Sequence, residues 1–93
     1  MTGTGGVSAN SSPIAVIGAG SWGTALAIQF ARAGHATRLW GRDAAHLSQL
    51  ARDRRNARYL PDAPFPAGLS ITTTLASTLA GVSDVLIAVP SHA

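Results

Sequence analysis

The chain has no cysteine, no lysine and no glutamate among its 93 residues. Without a thiol it forms no disulfide, holds no thiolate zinc and has no cysteine nucleophile. Aromatic side chains are scarce, with two Phe, two Trp and one Tyr. Only Tyr59 lies beside the cluster Arg52, Arg54, Arg55 and Arg58, so the interleaved stacking surface of a nucleic-acid binder is missing. Seven Arg against four Asp give a net charge of +3, the balance of a mildly basic chain. No apolar run exceeds strand length, so no membrane insertion is expected. Residues 1–12 lack the charged start and apolar core of a signal peptide. The expected location is cytoplasmic.

What is present is mostly apolar, 46% of the chain, which fits a globular fold. Residues 1–12 are small, polar and glycine-rich and are expected to be a disordered tail. From Pro13 the pattern changes. Ile14, Ala15, Val16 and Ile17 form a strand-like run that passes directly into Gly18-Ala-Gly20-Ser-Trp-Gly23 and then into an Ala-rich stretch with no helix breaker from Ala25 to Ala31. A strand, a G-x-G-x-x-G turn and a helix in that order form a phosphate cradle. Gly18 turns the chain off the strand, Gly20 lets a pyrophosphate approach unpaired helix amides, and Gly23 lets the helix lie close to the sheet.

The first helix is predicted from Ser21 or Trp22 to Ala33, closed by Gly34. A second strand is expected at 36–40. Asp43 then caps a second helix from Ala44 to about Ala57, with Leu47, Leu50 and Ala51 inward and Arg52 and Arg55 outward. Three prolines between Pro61 and Pro66 exclude a helix or central strand, so 59–66 is expected to be an extended connection. A third strand at 69–74, a short helix from Leu75 to about Ala80 and an apolar strand at 84–89, buried on both faces, complete the pattern.

The fold class is therefore α/β: a partial, doubly wound Rossmann sheet of four parallel strands, in the expected order 3-2-1-4. Such a sheet normally has more strands than 93 residues supply, so residues 13–93 are expected to be an incomplete dinucleotide-binding domain, a fragment. Its switch-point crevice lies between the first and fourth strands, where the glycine turn and Pro90-Ser91-His92 meet.

The cofactor is read from the end of the second strand, where NAD-binding sites carry an acidic residue for the ribose. That position is Gly41, followed by Arg42, whose planar fork suits a 2′-phosphate. NADP(H) is favoured, with NAD(H) the alternative through Asp43, whose competing role is a helix N-cap.

Gly18-Ala-Gly-Ser-Trp-Gly-Thr-Ala-Leu-Ala27, Leu39-Trp-Gly-Arg42, Asn56-Ala-Arg-Tyr-Leu-Pro61 and Val89-Pro-Ser-His92 together resemble the amino-terminal part of bacterial NAD(P)-dependent glycerol-3-phosphate dehydrogenase. The resemblance implies hydride transfer to dihydroxyacetone phosphate, a phosphorylated three-carbon substrate, giving sn-glycerol 3-phosphate for phospholipid synthesis. To the cofactor-site glycines Gly18, Gly20 and Gly23 read from the turn, it adds implied cofactor contacts at Ser21, Trp22 and Arg42, with Tyr59 and Pro90 as weaker candidates. The family's carbonyl-polarising lysines and its helical substrate domain are absent from this sequence, so no catalytic residue is assigned and the fragment alone is expected to be inactive. A homodimer is left open for the complete protein.

Two other readings stand beside it. One is a non-catalytic dinucleotide-binding or redox-sensing module; the other keeps the fold and changes the hydroxy-compound substrate. His35 and His46 are expected at the surface or in caps, the three histidines match no metal spacing, and Ser91 beside His92 makes no triad.

Overall fold

The computed structural model describes residues 13–88. Along the chain these form β1 (Ile14–Ile17), α1 (Ser21–Arg32), β2 (Thr37–Trp40), α2 (Ala44–Asp53), β3 (Arg55–Asn56), β4 (Leu60–Pro64), β5 (Leu69–Ile71), α3 (Leu75–Leu79) and β6 (Asp84–Ile87). The tail at 1–12 and the motif at 89–92 lie outside the described residues. One parallel sheet carries the order β5-β2-β1-β6. This is the expected 3-2-1-4 arrangement, with a β3–β4 ribbon inserted ahead of the third sheet strand.

Strand alternation sorts the side chains onto two faces. Register aligns Ile14 with Thr37 and Asp84, and Val16 with Leu39 and Leu86, on one face. Against that face α1 turns the stripe Gly23, Thr24, Ala27 and Ile28, and α2 turns Leu47 and Leu50. Leu39 and Leu50 are fully buried there, and Phe65 closes the cluster. Truncating one of these leucines to Ala would cost about 2–5 kcal/mol, through lost transfer energy and an unfilled cavity.

The other face carries Ile17 aligned with Trp40 and Ile87, and Ala15 aligned with Arg38 and Val85. Arg38 anchors α3 over part of it. Its Nη1 donates to the carbonyls of Ser77, Thr78 and Ala80 at 3.0, 3.2 and 2.6 Å. Among the described residues nothing covers its β6 edge, where Val85 and Ile87 are 48% and 68% exposed. The expected burial of the last strand on both faces is thus not met among the described residues, where β6 is the sheet edge.

Several expected boundaries shift for local reasons. The second helix ends at Asp53, not near Ala57, because Arg54 turns left-handed at φ 54°. That reversal is held from outside the helix: Arg54 Nη2 donates to Pro66 O at 2.9 Å and its guanidinium lies 5.6 Å from the Phe65 ring centroid. The segment expected as a plain connection therefore pairs, with Leu60–Pro64 antiparallel to Arg55–Asn56. Ala51, expected inward, is exposed. The third strand stops at Ile71, since Thr74 is the N-cap of α3 and accepts from the Ser77 N–H at 3.1 Å. Among the described residues no helix is long and apolar enough to cross a membrane.

Candidate functional site

The glycine turn begins where three parallel strands end together. Gly18 N–H donates to Trp40 O at 2.7 Å, and Ala88 N–H donates to Ile17 O at 2.8 Å, tying the tips of β1, β2 and β6. Gly18 has φ 119°, a conformation L side chains rarely adopt. A Cβ on Gly23 would stand 1.8 Å from the Gly18 carbonyl oxygen, so the helix reaches the turn only because residue 23 has none.

Gly20 is different. Its φ of −80° is open to any residue. A Cβ there would meet nothing within 4 Å. Among the described residues no contact requires glycine at this position. Gly20 is also the N-cap of α1, with no side-chain cap and no acidic residue in the first turn. The helix start thus presents N–H groups and the positive end of its dipole without an anionic side chain to neutralise them.

Beside the turn lies a cleft of about 340 Å³. Its floor is Ile17, Gly18, Ala19, Gly20, Trp40, Gly41 and Ala88, at the carboxyl ends of β1, β2 and β6. One wall is Arg42, Asp43, His46, Arg58 and Tyr59. Gly41 has a steric reason to be glycine, since a Cβ would come 3.0 Å from Ala19 Cβ and 3.4 Å from its nitrogen. The missing acid at the tip of β2 therefore follows at least in part from packing against the turn.

Asp43 is the N-cap of α2, its Oδ1 accepting from the His46 N–H at 3.1 Å. That bond is the main reason its carboxyl titrates below the ordinary carboxylate value. Its other oxygen stands 3.9 Å from Arg58 Nη1, an exposed pairing that adds little stability. Arg58 Cζ lies 5.9 Å from the Tyr59 ring centroid, and Tyr59 meets the His46 ring edge-on at 5.8 Å. The wall carries two guanidinium groups against one carboxylate already engaged as a cap, so it favours an anion.

Residues 13–93 match the family described as NAD-dependent glycerol-3-phosphate dehydrogenase N-terminus. The chain belongs to this family. It is 57% identical over 83 residues to glycerol-3-phosphate dehydrogenases of Yersinia pestis (strain Pestoides F) and Yersinia pseudotuberculosis, whose names give NAD(P)+ as the cofactor. That stretch is 89% of this chain and 24% of each relative. The crystal structure of glycerol-3-phosphate dehydrogenase from Coxiella burnetii superposes with a TM-score of 0.84 at 48% identity, covering 87% of this chain and 25% of that one. The Saccharomyces cerevisiae enzyme, at 21% identity and a TM-score of 0.75 over 89% of this chain and 27% of its own, shares the fold. The chain spans about a quarter of the length of the curated relatives it matches.

In this member of the family, Gly18, Gly20 and Arg42 line the cleft and Gly23 packs behind it. Ser21 and Trp22 are exposed on the first turn of α1 and do not line it. Tyr59 is in the wall; Pro90, Ser91 and His92 lie outside the described residues. His35 is exposed, as expected, but His46 is not: it is 8% exposed, with Nε2 3.0 Å from Asn56 Oδ1. Its place in a cap belongs to its backbone N–H, not its ring. In the sequence Asn56 is legible only as part of the Asn56–Pro61 motif, because Arg54, Arg55 and Arg58 around it give the stretch a solvent-facing pattern. Among the described residues no group of three or more His, Cys, Asp or Glu is placed to hold a metal.

Proposed function

We propose that residues 13–93 form the first half of the nicotinamide-dinucleotide domain of an enzyme that reduces dihydroxyacetone phosphate to sn-glycerol 3-phosphate. The observation that carries this reading is Gly20, a glycine that no contact among the described residues requires, set at an uncapped helix start beside an anion-favouring cleft. Family membership supports the rest.

In this reading a nicotinamide dinucleotide, when bound, supplies the hydride. Gly18 sets the direction of the turn and Gly20 leaves room beside it. Gly23 brings α1 close enough for its first amides, those of Ser21 and Trp22 included, to attract a pyrophosphate. Trp22 offers an exposed ring next to them. Arg42 pairs with an adenosine 2′-phosphate, with Arg58 close by in the same wall. NADP(H) is therefore the preferred form and NAD(H) the alternative. No residue of the cleft is assigned a proton-transfer role, and residues 13–93 contain no lysine to polarise a carbonyl.

Arg42→Ala in a complete dehydrogenase carrying this segment tests the assignment. A charge-assisted bond to phosphate contributes about 1.5–3 kcal/mol, so the preference for NADPH over NADH falls roughly tenfold or more. An unchanged preference removes Arg42 from the site.

A further inference from the structure

We infer that Asn56 is a positioning residue for the dinucleotide site, its buried amide fixing the glycine turn and the Tyr59 wall in one arrangement. The inference rests on the reading of the cleft given above.

Asn56 is 0% exposed and does not line the cleft. Its Nδ2 donates to Ala19 O at 3.0 Å and to Thr24 Oγ1 at 2.8 Å. Its Oδ1 accepts from the Tyr59 N–H at 3.3 Å and lies 3.0 Å from His46 Nε2. A side-chain amide has two donors and two acceptor sites, and all are engaged. The orientation is forced. Ala19 O can only accept, so it must face the NH₂ group; Oδ1 then faces His46, whose Nε2 must carry a proton.

These partners come from separate parts of the chain. Ala19 belongs to the glycine turn, Thr24 to α1, His46 to α2 and Tyr59 to the link between β3 and β4. Ala19, His46 and Tyr59 line the cleft, so a single buried group meets both its floor and its wall. An apolar side chain of similar volume would leave the Ala19 carbonyl and the Tyr59 N–H without this partner, so the amide contributes to stability as well. What the amide adds beyond this is direction: it fixes where the turn's carbonyl and the Tyr59 backbone stand relative to each other. A misplacement of about 1 Å in such a shell is enough to impair binding and orientation strongly.

The test uses a complete enzyme in which residues 13–93 replace the matched segment of the Yersinia pestis dehydrogenase. Asn56→Asp keeps the size and the acceptor but sets an oxygen against Ala19 O. The expected result is a KM for NADPH raised tenfold or more, with kcat within twofold and the KM for dihydroxyacetone phosphate unchanged. Thr24→Val removes one bond of the network and Thr24→Ser keeps it; Val raises the NADPH KM and Ser restores it. The Thr24 pair decides the matter if Asn56→Asp does not fold. Lowered melting temperatures with the NADPH KM within twofold of the parent in Asn56→Asp and Thr24→Val make the network structural only and overturn the inference. Failure of the parent chimera itself to bind NADPH defeats the reading of the cleft, and the positioning role with it.

Discussion

Gly23 stands so close to Gly18 that a methyl group on it would come 1.8 Å from the Gly18 carbonyl oxygen. Gly20, only three residues away in sequence, has nothing within 4 Å of the same methyl position. Packing thus explains the first glycine and, among the described residues, does not explain the second.

Gly23→Ala is expected to displace α1 from the turn and to lower the melting temperature sharply or abolish folding. Gly20→Ala is expected to leave the melting temperature unchanged and to weaken NADPH binding about tenfold or more. Thermal melts and dinucleotide titrations of both variants in a complete dehydrogenase check this. Equal effects on stability from both would contradict the division of roles.

Much of this was legible from residue pattern. The run from Ile14 to Ile17 before the glycines and the break at Gly34 located β1 and α1, because β-branched runs and left-handed caps are local signals. The Asp43 cap was legible for the same reason. Arg54 was not: a left-handed arginine has no sequence signature, and it is held by Phe65 and Pro66, distant contacts that no window along the chain contains. Asn56 was hidden likewise, since its burial depends on four partners from four segments. Ile87 misled in the other direction. Its apolar neighbours describe a strand covered on both sides, and that cover is not among the described residues.

The capping carboxylate of Asp43 gives a pH signature. Its folded value lies below its unfolded value, chiefly through the His46 N–H, so its contribution is present above the unfolded value, about 3.9. It is lost as pH falls through the lower folded value. Asp43→Asn keeps a capping oxygen and removes this acid dependence, whereas Asp43→Ala lowers the melting temperature at neutral pH as well. Melts from pH 7 to pH 2 would separate the two, and identical profiles for Asn and wild type at acid pH would refute the assignment.

Arg38→Met should loosen one end of the sheet. It keeps an apolar stem and strips three carbonyls around the end of α3 of their shared donor. A loss of about 1–3 kcal/mol is expected. Amide hydrogen exchange should quicken in α3 and leave α1 unaffected; uniform acceleration across the sheet would count against a local role.

The uncovered β6 edge predicts behaviour in solution. With Val85 and Ile87 exposed on an edge strand, the 93-residue chain expressed alone should self-associate. Ile87→Lys should shift its sedimentation towards monomer. A parent chain that remains monomeric and melts cooperatively would contradict this.

The placing of the two tryptophans gives the segment an optical reporter of its own. Trp22 is 65% exposed, while Trp40 lies in the cleft floor with its indole N–H buried and without a partner among the described residues. An indole whose N–H is shielded from water emits at shorter wavelength than an exposed one, so Trp40 is expected to emit to the blue of Trp22. Only the Trp40 band comes from the cleft floor, and Trp22→Phe would leave it as the sole signal. Filling of the cleft can then be followed by emission, with no label and no turnover.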